Sequence, residues 1–304
     1  MNDLILATMA GTAEAARLAL LWAKSIRAFA GRYTEAPIWL MVPQPIERLP
    51  TSLRMELEQN HARLFAYDVS EEALDFPFAA KSIAAGEAER LAQDRASRLA
   101  WMDCDSLIVQ EPIPLLLADE IAIGYRPVDH TLIGSPADKP PDSFWSLVYN
   151  QCGVDVGQIK PMVTSVDEKT IRPYFNAGLL AVRPQRGLLQ SWSDTFRTLY
   201  QRPAFRPYYN RDVLYKLFIH QAVLAGVILA GTGDEEREEL PYLVNYPLHM
   251  HAGYPAVRRP ARLNDVYSFR YDTLADEADW QQVILIDEPL RSWLNEVRKV
   301  VQSI

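Results

Sequence analysis

The most constraining feature of the sequence is an alternation of short apolar runs with helical stretches over the first seventy residues. The runs Leu4–Thr8, Pro37–Val42 and Arg63–Tyr67 have the length and composition of buried strands. Apolar residues at helical spacing fill the two intervals, Glu14–Phe29 and Thr51–Asn60. Because a β-α-β-α-β order requires crossover connections, this segment predicts a parallel sheet with helices packed on its faces.

The remainder of the chain continues this pattern with one long interruption. Lys81–Arg98 is helical in character, although Gly86 and Asp94 disfavour one unbroken helix. The proline-rich residues 126–173 predict a long irregular segment, and Glu288–Val301 predicts an amphipathic surface helix. Further strands are predicted at Leu99–Met102, Leu107–Val109, Ile121–Tyr125, Phe175–Val182 and Val227–Ala230, and further helices at Gly187–Tyr200 and Val213–Ala225.

Composition excludes some partners. The chain has 31 basic and 39 acidic residues, a net charge of −8, and no concentrated Lys/Arg run, which argues against nucleic acid as a partner. Its two cysteines, Cys104 and Cys152, are too few for a disulfide framework and indicate a reducing compartment. The N-terminal segment favours neither a signal peptide nor a membrane span. We therefore expect a cytoplasmic protein with no transmembrane segment.

An acidic pair follows the fourth predicted strand. Asp103 and Asp105 lie two residues apart at the carboxyl end of Leu99–Met102, at the sheet edge where open α/β folds bind ligands. Two carboxylates suit Mg²⁺ or Mn²⁺, which can bridge phosphate oxygens. On spacing alone, a turn with solvated carboxylates is an equal alternative.

Segments around this pair resemble glycosyltransferases of the GT-A fold, and most closely the retaining family of glycogenin and the lipopolysaccharide galactosyltransferases. LAWMDCDSLIVQEP resembles the D-x-D segment of that family, and FNAGLLAVRP resembles the strand that follows it. HQAVLAGVI resembles its helix with an Asp-Gln pair, and LPYLVNYP its proline-then-asparagine loop. HMHAG corresponds to the histidine-and-glycine segment that ends the catalytic core.

The resemblance covers the chain loosely from Leu4 to Gly253 and implies a domain organisation. Residues 1–255 would form one GT-A catalytic domain, a Rossmann-like, mostly parallel sheet flanked by helices. Within it, residues 126–173 would lie on the acceptor side. Residues 256–304 would form a C-terminal extension with a docked helix.

The resemblance also implies a metal site and a donor site. Asp103 and Asp105 would hold the cation, with His251 or His249 as a third ligand, and an imidazole ligand favours Mn²⁺ over Mg²⁺. The catalytic residues would be Gln221, beside the anomeric carbon, and His220, which replaces the family's usual Asp. The residues implied to bind the donor are Ala7, Thr8, Lys81, Asp103, Asn176, Ala177 and Gly178.

The predicted activity is metal-dependent transfer of a sugar from a nucleoside-diphosphate sugar, a UDP-sugar, to a hydroxyl acceptor with retention of configuration. The acceptor would be a carbohydrate, a lipid-linked sugar or a protein. An unperturbed imidazole at His220 would make the sugar-dependent step sensitive to pH between about 5 and 8. Because histidine replaces the family's usual Asp at position 220, a second interpretation stays open, namely a non-catalytic protein that binds a sugar nucleotide or a partner. A haloacid-dehalogenase-like phosphatase is a weaker alternative, because its aspartates would follow the first core strand.

Overall fold

A seven-stranded, mostly parallel sheet forms the centre of the protein. The computed structural model describes residues 2–271 and 283–302, and within them the sheet has the strand order β10-β6-β9-β4-β1-β2-β3. The strands are, in chain order, β1 (Asn2–Met9), β2 (Ile38–Pro43), β3 (Ala62–Tyr67), β4 (Ala96–Met102), β5 (Ser106–Ile108), β6 (Ile123–Pro127), β7 (Met162–Val163), β8 (Thr170–Ile171), β9 (Phe175–Val182), β10 (Arg237–Glu239), β11 (Tyr246–Pro247) and β12 (Ser268–Arg270).

Helices cover both faces of this sheet. They are α1 (Ala13–Phe29), α2 (Thr51–Gln59), α3 (Glu71–Asp75), α4 (Ala79–Ala92), α5 (Ser143–Cys152), α6 (Leu188–Leu199), α7 (Arg206–Arg211), α8 (Val213–Gly231) and α9 (Leu290–Gln302). Buried residues of α4, α5, α6 and α8 pack on one face, and those of α1 and α2 on the other. The predicted α/β class, with a mainly parallel sheet between helical layers, is therefore confirmed.

The strand directions place the candidate site. β1 pairs with both β2 and β4 in parallel, whereas β9 runs antiparallel between β4 and β6. As a result, the carboxyl ends of β1 and β4 meet the beginning of β9 at a single edge of the sheet. Because all eight residues of β9 are buried, side chains at that edge are held on a rigid element.

Close helix packing explains why Gly86 does not interrupt α4, contrary to the expected break. A Cβ at Gly86 would lie 2.6 Å from Cβ of Ser193, so glycine is the residue that lets α4 approach α6 this closely. The helix ends at Ala92, before Asp94, and β4 begins at Ala96.

Two sequence-based assignments are wrong. The strand expected at Val227–Ala230 is instead the end of α8, because an unbroken buried apolar run without Pro is compatible with helix as well as strand. The segment 126–173 is not irregular throughout, since it contains α5 and the β7–β8 pair. Asp142 caps α5 by accepting a hydrogen bond from the backbone N–H of Trp145.

By length and composition, α8 is the one helix among the described residues that could cross a membrane. Its apolar window is 56% buried within the fold, however, as expected of a core helix, so this observation is weak evidence for a span. The absence of a transmembrane segment stays a prediction.

The described residues beyond 255 pack against the rest of the protein. β12 pairs with β11 and, antiparallel, with β5, which follows the Asp103–Asp105 turn. The expected C-terminal helix is observed as α9, and Leu290 and Leu294 are buried beside Leu21 of α1. The edge of the Trp293 ring also contacts Phe29 at a centroid distance of 5.2 Å. The boundary at residue 255 stays a prediction.

Candidate functional site

A cavity of about 510 Å³ opens at the carboxyl ends of β1 and β4. This is the edge at which open α/β sheets bind ligands. The beginning of α1, the turn after β4 and the chain leading into α4 form its walls. Its lining residues are Thr8, Met9, Gly11, Thr12, Ala15, Leu18, Leu74, Asp75, Phe76, Pro77, Phe78, Ala80, Lys81, Trp101, Asp103, Cys104 and Asp105.

An ion pair between Lys81 and Asp103 lies in this cavity. The ammonium Nζ is 2.6 Å from Oδ1 and 2.8 Å from Oδ2 of the carboxylate. Only 8% of the Lys81 side chain is exposed, whereas about a third of the Asp103 side chain is. Lys81 lies in the first turn of α4, so the helix carries its buried stem to the end of β4. Because part of the Asp103 side chain stays exposed, its carboxylate can bind a further cation in addition to Lys81. An anionic group can then approach the two cations.

Asp105 lies on the turn that joins β4 to β5 and lines the same cavity. Its backbone carbonyl accepts a hydrogen bond from the Tyr271 N–H at 3.2 Å, which ties this turn to the end of β12. The structure thus brings together the two aspartates that the sequence singled out. Two carboxylates are the donor set that a hard divalent cation prefers, so these residues fit such an ion.

The predicted histidine ligands are not part of this arrangement. His251 Nδ1 is 2.8 Å from the Tyr246 hydroxyl, and its ring lines a different cavity with Arg259 and Pro260. His249 is exposed on the same 3₁₀ helix, Leu248–Gly253. In the two described ranges, no three His, Cys, Asp or Glu side chains form a metal-binding group. Neither histidine is among the residues that line the cavity between β1 and β4, so a histidine as third ligand stays a prediction.

The beginning of β9 lies against Asp103. The Asp103 N–H donates to the Gly178 carbonyl at 2.8 Å, and the Gly178 N–H donates to the Asn176 Oδ1, also at 2.8 Å. A Cβ at Gly178 would lie 2.9 Å from Asp103 Oδ2 and 2.9 Å from Asn176 Oδ1. Only glycine therefore allows both polar groups to sit beside the strand at this point. The Asn176–Gly178 segment thus adjoins the acidic turn, but none of its three residues is among those that line the cavity, so its predicted part in donor binding stays a prediction.

Gln221 is held inside the protein by its own amide. Its Oε1 accepts a hydrogen bond from the Ala177 N–H at 3.0 Å, and its Nε2 lies 3.4 Å from the Tyr174 hydroxyl. The residue is only 7% exposed. This geometry makes Gln221 a brace between α8 and β9 that positions Asn176 and Gly178. Its predicted place beside an anomeric carbon stays a prediction.

His220 is buried, and burial disfavours the charged form of its ring. It is 3% exposed, and its Nδ1 is 2.8 Å from the carbonyl of Leu217. Burial, reinforced by the positive charge of Lys81, lowers the pKa of His220 well below its ordinary value. The pKa of His220 is therefore not the unperturbed value on which the expected pH sensitivity between 5 and 8 depended, and that pH sensitivity stays a prediction. The ring of Phe78 stacks on the imidazole ring at a centroid distance of 4.5 Å.

At the end of β1, only one of the two predicted donor-binding residues reaches the cavity. Thr8 lines it, and its buried hydroxyl has no hydrogen-bond partner within the described chain. Ala7 points into the core on the face covered by α4. Strand alternation separates the two residues in this way.

Sequence reasoning assigned no role to two residues of this region. Asn245 has a left-handed φ of 56°, is 4% exposed, and neither atom of its amide has a hydrogen-bond partner among the described residues. Its Nδ2 would be 3.7 Å from a Cβ at Gly178, so it belongs to the same cluster. Phe78 is the second such residue. The sequence features that could have pointed to these two residues are the asparagine of LPYLVNYP and the F-P-F run before α4.

Comparison with solved structures shows the fold. The galactosyltransferase LgtC, solved with donor and acceptor sugar analogs, has 16% identity and a TM-score of 0.50, and the match covers 99% of this chain and 97% of that one. The bifunctional glycosyltransferase WbbM, in its apo form, has 11% identity and a TM-score of 0.51, covering 98% of this chain and 51% of WbbM. A search of curated proteins found no significant match.

The family assignment rests on the sequence. A family model described as the Rhodobacterales glycosyltransferase domain matches residues 7–225, which include the whole cavity lining, β9 and the predicted Asp-Gln position at His220 and Gln221. The match extends over well more than half of the 304 residues. The chain therefore belongs to the Rhodobacterales glycosyltransferase domain family and is a glycosyltransferase with the GT-A fold.

Proposed function

We propose that the protein transfers a sugar from a nucleoside-diphosphate sugar, a UDP-sugar, to a hydroxyl group of a carbohydrate-bearing acceptor. The observation that carries this proposal is the cavity at the ends of β1 and β4, where Lys81, Asp103 and Asp105 converge and Gly178 of β9 packs against Asp103. The LgtC structure, which contains donor and acceptor sugar analogs, supports a sugar donor and a sugar acceptor for this fold.

Polar groups in and beside the cavity have distinct tasks in this proposal. The Lys81 ammonium offsets the negative charge of the diphosphate, and Asp103 keeps that ammonium in place. The unpartnered Thr8 hydroxyl, which lines the cavity, and the unpartnered Asn245 amide, which lies near Gly178, offer hydrogen bonds to the donor, which would relieve the cost of burying them unsatisfied. Gln221 holds the Ala177 N–H and thereby fixes the strand against which the sugar lies.

We further propose that Asp103 and Asp105 hold a divalent cation, Mn²⁺ or Mg²⁺. When bound, such an ion stabilises the charge that develops on a departing diphosphate. Retention of configuration rests on the resemblance to the glycogenin family. Front-face departure and attack is the mechanism we favour, because a carboxamide such as Gln221 is too weak a nucleophile for double displacement.

The family assignment decides between the alternatives. The phosphatase interpretation is wrong, because the matched family is a glycosyltransferase family and the aspartates follow the fourth strand. The same assignment favours an enzyme over a protein that only binds sugar nucleotides.

Thermal unfolding with UDP tests the donor and cation proposals together. A ligand that binds only the native state at 100 times its dissociation constant stabilises it by about 2.7 kcal/mol, so Tm rises by several degrees. We expect UDP to raise Tm with Mn²⁺ present and not in EDTA. Asp105→Asn should lose most of this shift, whereas Asp68→Asn, which removes an exposed carboxylate elsewhere, should keep it. Equal shifts in EDTA and Mn²⁺ would refute the cation.

A further inference from the structure

Phe78 has an unusual conformation at the mouth of the cavity. Its φ of 58° and ψ of 8° are left-handed, a region that bulky residues rarely adopt because of steric cost. Its side chain is nevertheless 45% exposed, so burial of the ring does not compensate for that cost. Backbone strain of this kind is concentrated at binding and catalytic sites. The outlier therefore indicates that the position of the ring matters for a ligand.

Two polar residues hold the ring where it is. The buried imidazole of His220 stacks on it with an interplanar angle of 29°, and Lys81 Nζ lies 5.7 Å from its centroid. His220 is in turn fixed by the Leu217 carbonyl and by packing near Trp192, at a centroid distance of 6.4 Å. The phenyl ring thus rests on a rigid support on one side, while it lines the cavity with the surface that remains exposed.

The position of the ring relative to the ion pair suggests its ligand. The same ammonium group that approaches the ring is bound to the carboxylate of Asp103, so the ring stands next to the proposed diphosphate site. The group attached to that diphosphate is a sugar. A pyranose presents faces of C–H groups, which carry a small positive charge and are attracted to the negative face of an aromatic ring.

We propose that Phe78 is the platform on which the pyranose ring of the donor stacks, and that His220 is the positioning residue that holds Phe78 in place. This inference rests on the proposed function. The exposed phenyl ring, stacked on a buried imidazole, makes this wall of the sugar site apolar. The wall therefore recognises the face of the sugar ring rather than one of its hydroxyl groups.

Calorimetric titration with UDP, UDP-glucose and UDP-galactose, each in Mn²⁺, tests the platform. In Phe78→Ala we expect the affinity for the UDP-hexose that the wild type prefers to fall about tenfold, the range of an aromatic contact, and the affinity for UDP to stay within about twofold. Phe78→Tyr keeps the ring face and should bind like wild type. Leu132→Ala is the matched control, because Leu132 is also exposed with a left-handed φ but is not among the residues that line the cavity.

The role of His220 has its own readout. His220→Phe preserves a stacked ring and should keep the wild-type ratio of UDP-hexose affinity to UDP affinity, whereas His220→Ala should lower that ratio although UDP still binds. If His220 had a merely structural role, His220→Ala would instead lower the affinities for UDP and for the UDP-hexose together. If Phe78→Ala leaves the ratio of the UDP-hexose and UDP affinities unchanged, the platform is refuted while the proposed function stands. If the wild type binds no UDP, the proposed function and the platform both fail.

Discussion

Gly178→Ala gives a sharp test of how tightly the site is built. Gly178 lies in β9, where its φ is ordinary, so alanine introduces no backbone strain. The added methyl group would stand 2.9 Å from Asp103 Oδ2 and 2.9 Å from Asn176 Oδ1, about half an ångström inside an ordinary contact. Neither oxygen can simply swing away. Lys81 binds the carboxylate, and the backbone N–H of residue 178 itself binds the amide.

The size of the effect follows from overpacking. Forcing one methyl group into a filled, buried site costs about 1–3 kcal/mol, and the removal of a flexible glycine from a strand returns about 0.5–1 kcal/mol. We therefore expect a net loss of about 1–2 kcal/mol and a Tm lowered by roughly 2–3 °C. Displacement of the Asp103 carboxylate should also weaken UDP binding in Mn²⁺ about tenfold, which corresponds to about 1.4 kcal/mol.

Thermal unfolding and calorimetry with UDP measure both quantities on the same protein. Gly157→Ala is the control, since a Cβ there would meet no atom closer than 3.4 Å and the residue lies outside the cavity lining. Wild-type stability together with wild-type UDP affinity in Gly178→Ala would refute the close packing of β9 against Asp103.

Two further predictions concern buried side chains. Gln221→Ala leaves the Ala177 N–H unsatisfied, so we expect the protein to lose about 1–3 kcal/mol of stability. Donor turnover should fall roughly a hundredfold, with the UDP affinity nearly unchanged. Turnover at the wild-type rate would contradict this prediction. Burial raises the pKa of Glu89 to about 8, although its Oε2 accepts a hydrogen bond from the N–H of Gln190 at the start of α6. The folded protein therefore keeps a proton on Glu89 that the unfolded chain releases above about pH 4.5. The stability that this proton contributes is lost progressively as the pH rises from about 4.5 to about 8. Glu89→Gln should remove this pH dependence of stability and be more stable than wild type by on the order of 4 kcal/mol at pH 8. Thermal unfolding of both proteins from pH 5 to 9 measures the difference. Parallel pH profiles of the two proteins would contradict the prediction.

The sequence predicted the sheet and the acidic edge because both depend on local pattern. The strands that deliver Thr8 and Asp103 to the cavity are short apolar runs, and the β-α-β order makes their carboxyl ends meet. Phe175–Val182 was placed with the same boundaries as the observed β9. α8 was divided wrongly, since periodicity does not separate a fully buried helix from a strand.

The details of the site depend on contacts between distant residues, which no local pattern reveals. The left-handed backbone of Phe78 and Asn245, and the stacking of Phe78 on His220, arise only when α4, α8 and the chain before β11 come together. The lowered pKa of His220 was not foreseen for the same reason, because its burial comes from tertiary packing. The bond from His251 to Tyr246 is likewise set by the 3₁₀ helix that follows β11.

Release of UDP from UDP-sugars, followed by mass spectrometry in Mn²⁺, tests the central claim that this cavity is the donor site. We predict that the wild type releases UDP from at least one UDP-hexose and that Lys81→Met, which removes the ammonium beside Asp103, lowers the rate a hundredfold or more. Lys139→Met, which removes an exposed lysine charge outside the cavity lining, should be as active as wild type. A Lys81→Met protein that releases UDP at the wild-type rate would contradict the claim.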